Sequence, residues 1–190
     1  KLWKVRKKEM KKVKDIKITF LPFIIKAVIE GLKKNPILNA TLTPEEIIVK
    51  KYYNIGIAVA TEQGLIVPVL KGADQKNILK LAKEIQDLAQ RARDRSLDLQ
   101  DLKGGTFTIT NVGSIGGLFA NPILNPGEAA ILALGRIHDK VVVVGGKIQV
   151  RKVLPISLTF DHRILDGAHA ALFANTLKEY LEDPARLLLS

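Results

Sequence analysis

The sequence predicts a mixed α/β fold, an α+β-like two-layer sandwich in which a mixed β-sheet is packed by helices. Three observations predict it. Short apolar runs rich in Val, Ile and Thr are bounded by Gly, Pro and Asn turn signals, as strands are. Three long stretches of helical period interrupt those runs. The connections alternate between hairpin turns and helix-length crossovers, with no repeat or low-complexity tract, which fits strands running in both directions in one sheet.

The elements follow in order. Leu2, Val5 and Val13 belong to an amphipathic helix with no cap before it, so a segment upstream is expected to be missing. Residues 20–34 read as a helix: Pro22 suits its first turn, and Phe23, Ala27, Val28 and Leu32 keep the period. Asn35-Pro36 ends it, because the residue before proline avoids the helical region. Strands are expected at 47–49, 54–61 and 65–70, the last two separated by the turn Gln63-Gly64. Residues 74–95 form a second helix with Ile78, Leu81, Ala82, Ile85, Leu88 and Ala89 on one face. Gly104-Gly105 breaks the chain before a strand at 106–112, and a loop with Gly113, Gly116 and Gly117 follows. Residues 129–136 and 141–144 read as strands, and Gly145-Gly146 turns the latter into 147–150. A buried strand at 153–160 and a closing helix at 166–181 complete the chain.

A length of 190 residues suits one domain with one core, and 47% hydrophobic with 26% charged residues is the balance of a folded protein. No run of eighteen apolar residues argues for a membrane span, and no apolar segment follows the basic N-terminus as in a secretory signal. The absence of cysteine removes disulfides, thiolate metal sites and a cysteine nucleophile, and fits an intracellular protein. The net charge of +11 is concentrated in Lys1, Lys4, Arg6, Lys7, Lys8, Lys11, Lys12 and Lys14. A solvated helix face, a nucleic acid and a phosphate-bearing small molecule all fit that excess. No series of aromatics interleaves these cations as a base-stacking surface would.

Of three histidines, His138 sits in a polar turn after a strand and His169 in the closing helix, and both read as structural or solvated. His162 stands where the apolar run Ile156-Ser157-Leu158-Thr159-Phe160 passes into Asp161-His162-Arg163-Ile164-Leu165-Asp166-Gly167. A titratable ring at the end of a strand, among charges and ahead of a helix, suits a general base; a turn histidine satisfied by its neighbours suits the same facts. There is no Gly-x-Ser-x-Gly elbow, no His-x-x-x-His spacing and no dinucleotide fingerprint, and the Gly113–Gly117 loop either turns the chain or lets a ligand approach the backbone.

The segment from Asp161 to Gly167 resembles the His-x-x-x-Asp-Gly signature of dihydrolipoamide acyltransferases and the related chloramphenicol acetyltransferases. Further segments resemble the same family in the same order: Thr19-Phe20-Leu21-Pro22-Phe23, Pro36-Ile37-Leu38-Asn39-Ala40, Asn54-Ile55-Gly56-Ile57-Ala58, Gly64-Leu65-Ile66-Val67-Pro68, Gly104-Gly105-Thr106-Phe107-Thr108-Ile109-Thr110-Asn111 and Leu154-Pro155-Ile156-Ser157. The likeness covers nearly the whole chain and is nearest to the acyltransferase (E2) core of 2-oxoacid dehydrogenase complexes. It implies one catalytic domain over 1–190 without its N-terminal arm, and without lipoyl or peripheral-subunit-binding domains.

The resemblance also implies a chemistry. It makes His162 the base that deprotonates the thiol of coenzyme A or of lipoamide carried on a separate lipoyl domain. It makes Thr110, in a place usually held by serine, the hydroxyl that stabilises the tetrahedral oxyanion. Asp166 is expected to fix the histidine loop by an ion pair or hydrogen bonds. Arg6, Thr19, Asn111 and Ser114 match positions that line the coenzyme A channel, Arg6 facing a phosphate. Ala60 stands where relatives often carry aspartate. The Gly113–Gly117 loop looks more like the branched-chain and acetyl types than the succinyl type. The likeness further implies a chloramphenicol-acetyltransferase-like fold, and a homotrimer with active sites between subunits that assembles into a polyhedral core. Its partners are then an E1 decarboxylase, E3 dihydrolipoamide dehydrogenase and the lipoyl domain as substrate, in a cytoplasmic or mitochondrial-matrix setting, with no metal, nucleic acid or membrane. An E2-like scaffold with little activity is the competing expectation; it needs neither His162 nor Thr110.

Overall fold

The structure, a computed structural model, describes residues 1–10, 16 and 18–188. Helix α1 spans Leu2–Met10, α2 Leu21–Lys34, α3 Ile78–Arg93 and α4 Gly167–Glu182. The strands are β1 (Ala40–Leu42), β2 (Ile47–Val49), β3 (Ile55–Ile57), β4 (Val59–Thr61), β5 (Gly64–Ile66), β6 (Val69–Leu70), β7 (Phe107–Asn111), β8 (Ala130–Leu134), β9 (His138–Val144), β10 (Lys147–Val153) and β11 (Ile156–Phe160). A five-stranded mixed sheet in the order β11-β8-β7-β3-β6 forms the centre, and β1-β2, β4-β5 and β9-β10 are separate antiparallel pairs. Strand β7 runs parallel to both β3 and β8, whereas β6 and β11 are antiparallel edges.

Helix α2 is buried nearly all round, from Phe23 to Leu32, because α4 and α3 pack along it and its side chains share one core with the sheet. Gly31 permits that approach: a β-carbon there would come within 2.7 Å of the Phe173 ring and 2.9 Å of Leu177 on α4. Ile55, Ile57, Phe107, Ile109, Ala130, Leu132 and Leu134 belong to the same core as α2, and the rings of Phe107 and Phe173 meet at 5.7 Å. Since strand side chains alternate, Gly56, Thr108, Thr110 and Ala133 take the opposite face of the sheet.

Several expected elements are divided, each for a backbone reason. The run 54–61 breaks at Ala58, whose N–H donates to Ile109 O (3.0 Å), so β3 joins the sheet while β4 leaves to pair with β5. The run 65–70 breaks before Pro68, which has no N–H for a ladder and whose carbonyl accepts from Ile57 N (2.9 Å). Pro155 likewise separates β10 from β11, and β11 is half-buried, not buried as expected, because it is an edge. The second helix begins at Ile78, where the Asn77 side chain accepts from Lys80 N (2.9 Å); the preceding Ala73–Gln75 is a distinct 3-10 turn. His138 is the first residue of β9, not part of a turn, and its Nδ1–H donates to Arg136 O (3.1 Å). Val13 lies outside the described residues.

Candidate active site

The sheet carries two chemically distinct ends. Past the end of β11, Asp161 N donates to Ala129 O (2.9 Å), which holds the chain beside β8 for one more residue. The chain then turns: Ile164 N and Leu165 N both donate to Asp161 O (3.0 and 3.2 Å), and buried Leu165 pins the turn to the core. His162 is exposed on this turn, its ring 5.5 Å from that of Phe160. Asp161 is committed to Arg163, accepting from its backbone N (3.0 Å), Nε (2.9 Å) and a terminal guanidinium nitrogen (2.6 Å). Those bonds hold the Asp161 carboxyl down at about 2.

Asp166 holds the exit of the histidine loop by hydrogen bonds. It is the N-cap of α4, accepting from Ala168 N (3.0 Å) and His169 N (3.1 Å), and its Oδ1 lies 2.8 Å from His169 Nδ1. Those bonds to His169, backbone first, lower its pKa. Its carboxylate therefore fixes the helix that leaves the turn, through His169 and not through the ring of His162, because a cap reaches the backbone two and three residues ahead.

At the other end of the sheet, a cleft of about 410 Å³ is lined by Thr19, Asn111 and Ser114 together with Phe20, Arg136 and Leu154, among others. Three residues expected at a coenzyme thus line one cleft, although Thr19 is far from Asn111 and Ser114 in sequence. Ser114 Oγ donates to Asn111 O (2.9 Å), tying the loop to the strand end. Glycine here serves backbone contact. A β-carbon on Gly113 would lie 2.4 Å from Gly135 O, and one on Gly135 only 1.9 Å from Leu118 O. Arg6 does not line the cleft but adjoins it through Phe20: its Nε donates to Ile18 O (2.9 Å), and its guanidinium lies 4.7 Å over the Phe20 ring. Ala60 is exposed on β4, opposite Leu65.

Thr110 stands near this second end, on the face away from the helices, aligned with Ala133 of β8. His162 lies beyond the level of Ala129. At roughly 3.3 Å per residue and 4.8 Å per strand, Thr110 and the His162 turn are separated by about 13 Å along the strands and about 10 Å across them. One chain does not bring them together.

Sequence reasoning missed one group: Glu128, Thr108 and Asn125. Glu128 is only 9% exposed, and burial pushes its carboxyl upward. The available signal was an acidic residue placed directly before the apolar strand 129–136. Among the described residues no three His, Asp or Glu side chains gather as a metal site, and no helix is long and apolar enough to cross a membrane.

This architecture is that of the chloramphenicol acetyltransferase fold: chloramphenicol acetyltransferase itself superimposes with a TM-score of 0.56 at 16% identity, over 86% of this chain and 78% of that one. The family model for the 2-oxoacid dehydrogenases acyltransferase (catalytic domain) matches residues 1–189, and the chain belongs to that family. It is 44% identical over 184 residues to the succinyltransferase component of the 2-oxoglutarate dehydrogenase complex of Rickettsia bellii, covering 97% of this chain and 46% of that protein. It is 46% identical over 192 residues to the acetyltransferase component of the pyruvate dehydrogenase complex of Staphylococcus aureus, covering 99% and 45%. The solved cubic core of the pyruvate dehydrogenase multienzyme complex matches with a TM-score of 0.92 and 40% identity over 98% of this chain and 77% of that one. The chain spans about half the length of the curated relatives it matches.

Proposed function

We propose that this chain transfers an acyl group between coenzyme A and lipoamide, the latter carried on a separate lipoyl domain, as the core of a 2-oxoacid dehydrogenase complex. His162 removes the proton from the attacking thiol, and the thiolate adds to the thioester carbon. Thr110 Oγ1 donates a hydrogen bond to the oxygen that becomes negative, the intermediate collapses with expulsion of the other sulfur as thiolate, and His162 returns the proton to it. Coenzyme A occupies the cleft lined by Thr19, Asn111 and Ser114, with Arg6 and Arg136 offering charge to its phosphates. Asp166 anchors the His162 turn indirectly, through the start of α4.

One observation carries this reading: the cleft that gathers the coenzyme residues lies at the end of the sheet that bears Thr110 and is bounded by its neighbour Asn111, while His162 faces solvent at the far end of the same sheet. Base and donor complete a site only when two copies meet, which supports a homotrimer repeating the site at each interface and, with the likeness to a cubic core, a polyhedral assembly served by E1 and E3 enzymes. The acyl group is branched-chain or acetyl, a reading supported by the Gly113–Gly117 loop; overall identity does not decide it, since succinyl and acetyl relatives stand at 44% and 46%. A competition among acetyl-, isobutyryl- and succinyl-coenzyme A for dihydrolipoamide tests it. Preferential use of the succinyl thioester would overturn the acyl assignment, and no transfer from any would overturn the activity.

A further inference from the structure

Helix α1 adjoins the coenzyme cleft without lining it. Its Trp3 ring stands 5.3 Å from the Phe20 ring, tilted by 37°. Lys152 Nζ lies 5.6 Å from the centre of the Trp3 ring, and the Arg6 guanidinium 4.7 Å over that of Phe20. Lys152, Trp3, Phe20 and Arg6 thus form one stack, two rings between two cations, held by the attraction of a cation to a ring face and of ring to ring. Both cations are tethered at the ends. Lys152 Nζ donates to the two carboxylate oxygens of Asp139 (3.0 and 3.1 Å), its register partner across the β9–β10 pair. Arg6 Nε donates to Ile18 O.

The stack joins two parts of the cleft lining. Phe20 lines the cleft, and its carbonyl accepts from Phe23 N and Ile24 N (both 3.1 Å), so the ring moves with the first turn of α2, which also brings Leu21 and Ile24 to the cleft. At the other end of the stack, Lys152 stands two residues before Leu154, which lines the cleft as well; Pro155 O then accepts from Gly135 N (2.8 Å). The part near Gly135 is fixed by close backbone contact. The start of α2 has no such brace, and Phe20 gives its N-terminus no side-chain hydrogen bond. Trp3 is 46% exposed, so it adds little to the core, and its replacement removes the stack at small cost to stability.

We propose that Trp3 is a positioning residue that staples the start of α2 to the end of β10 and so sets the spacing of the coenzyme cleft. The inference rests on the coenzyme reading above and concerns a residue outside the cleft lining. Trp3 is the single tryptophan of the chain, so its emission reports on the stack directly. With the assembled protein, that emission is followed during titration with coenzyme A. In wild type, Trp3→Phe, Trp3→Ala and Lys152→Ala, kcat and KM are measured for acetyl-coenzyme A and dihydrolipoamide, alongside calorimetric binding of coenzyme A and thermal unfolding. Coenzyme A should change the emission of wild type with the same half-saturation as calorimetric binding. Trp3→Ala should weaken coenzyme A binding and raise the KM of acetyl-coenzyme A roughly two- to tenfold, the span of one or two ring contacts, with kcat and the KM of dihydrolipoamide unchanged. Trp3→Phe keeps a ring and should recover most of the loss, and Lys152→Ala should act in the same direction more weakly. Emission blind to bound coenzyme A, unchanged coenzyme A binding in Trp3→Ala, or an equal rise in both KM values, as general loosening would give, would overturn the staple alone. Failure of wild type to bind coenzyme A would instead refute the coenzyme reading, and the staple with it.

Discussion

The two ends of the central sheet differ in how they are held. At the end bearing Asn111 and Ser114, backbone meets backbone: Arg136 N donates to Gly117 O (2.7 Å), and Gly113 and Gly135 leave no room for a side chain. At the end bearing His162, charged side chains reinforce the backbone bonds of the turn: Arg163 grips Asp161, and Asp166 caps α4. The first end is a rigid wall fit to bind an extended ligand. The second presents one ring on a short turn, and the charged pairs that brace the turn can be removed by pH and mutation.

That contrast predicts the largest effect at the second end. His162→Ala should lower acyl transfer by about 10²–10⁴ while leaving assembly intact, as expected for loss of a general base. Near-normal turnover in correctly assembled particles would remove His162 from the mechanism. Asp166 should matter less and by a different route. Asp166→Asn keeps an N-cap and should retain most activity with the same pH limb, whereas Asp166→Ala should lower both rate and melting temperature. Loss of the pH limb in Asp166→Asn would move proton handling to that residue.

The smallest effect concerns Asp161. Its folded value of about 2 lies below the ordinary carboxylate value near 4, so its pairing with Arg163 stabilises the fold above about pH 4, and that contribution is lost as pH falls through about 2. Melting temperature followed from pH 5 to 2 should fall less steeply in Asp161→Asn than in wild type. Parallel curves would mean that the pair does not hold the turn.

Much of this contrast was legible in the sequence. The helix 20–34 and the closing helix 166–181 were read to within a residue or so, because apolar period and the Asn35-Pro36 stop are local signals. The strands 54–61, 65–70 and 153–160 were read too long, since their breaks at Ala58, Pro68 and Pro155 depend on which neighbour each backbone group meets. Family likeness brought Thr19, Asn111 and Ser114 to attention, but only the fold shows that they share a cleft. Asp166 was expected to hold the histidine loop by an ion pair or hydrogen bonds, but only the fold shows that its partners are Ala168 and His169 at the start of α4. Glu128 was missed because its carboxyl meets Thr108 and the space left at Gly105, both distant in the chain.

The central claim is that base and oxyanion donor come from different copies of the chain. It is tested by unfolding His162→Ala and Thr110→Ala chains together and reassembling them. In a shared site some interfaces regain both an intact His162 and an intact Thr110, so the mixed particles should be far more active than either parent. Mixed particles whose activity merely equals the average of the two parents would contradict the account.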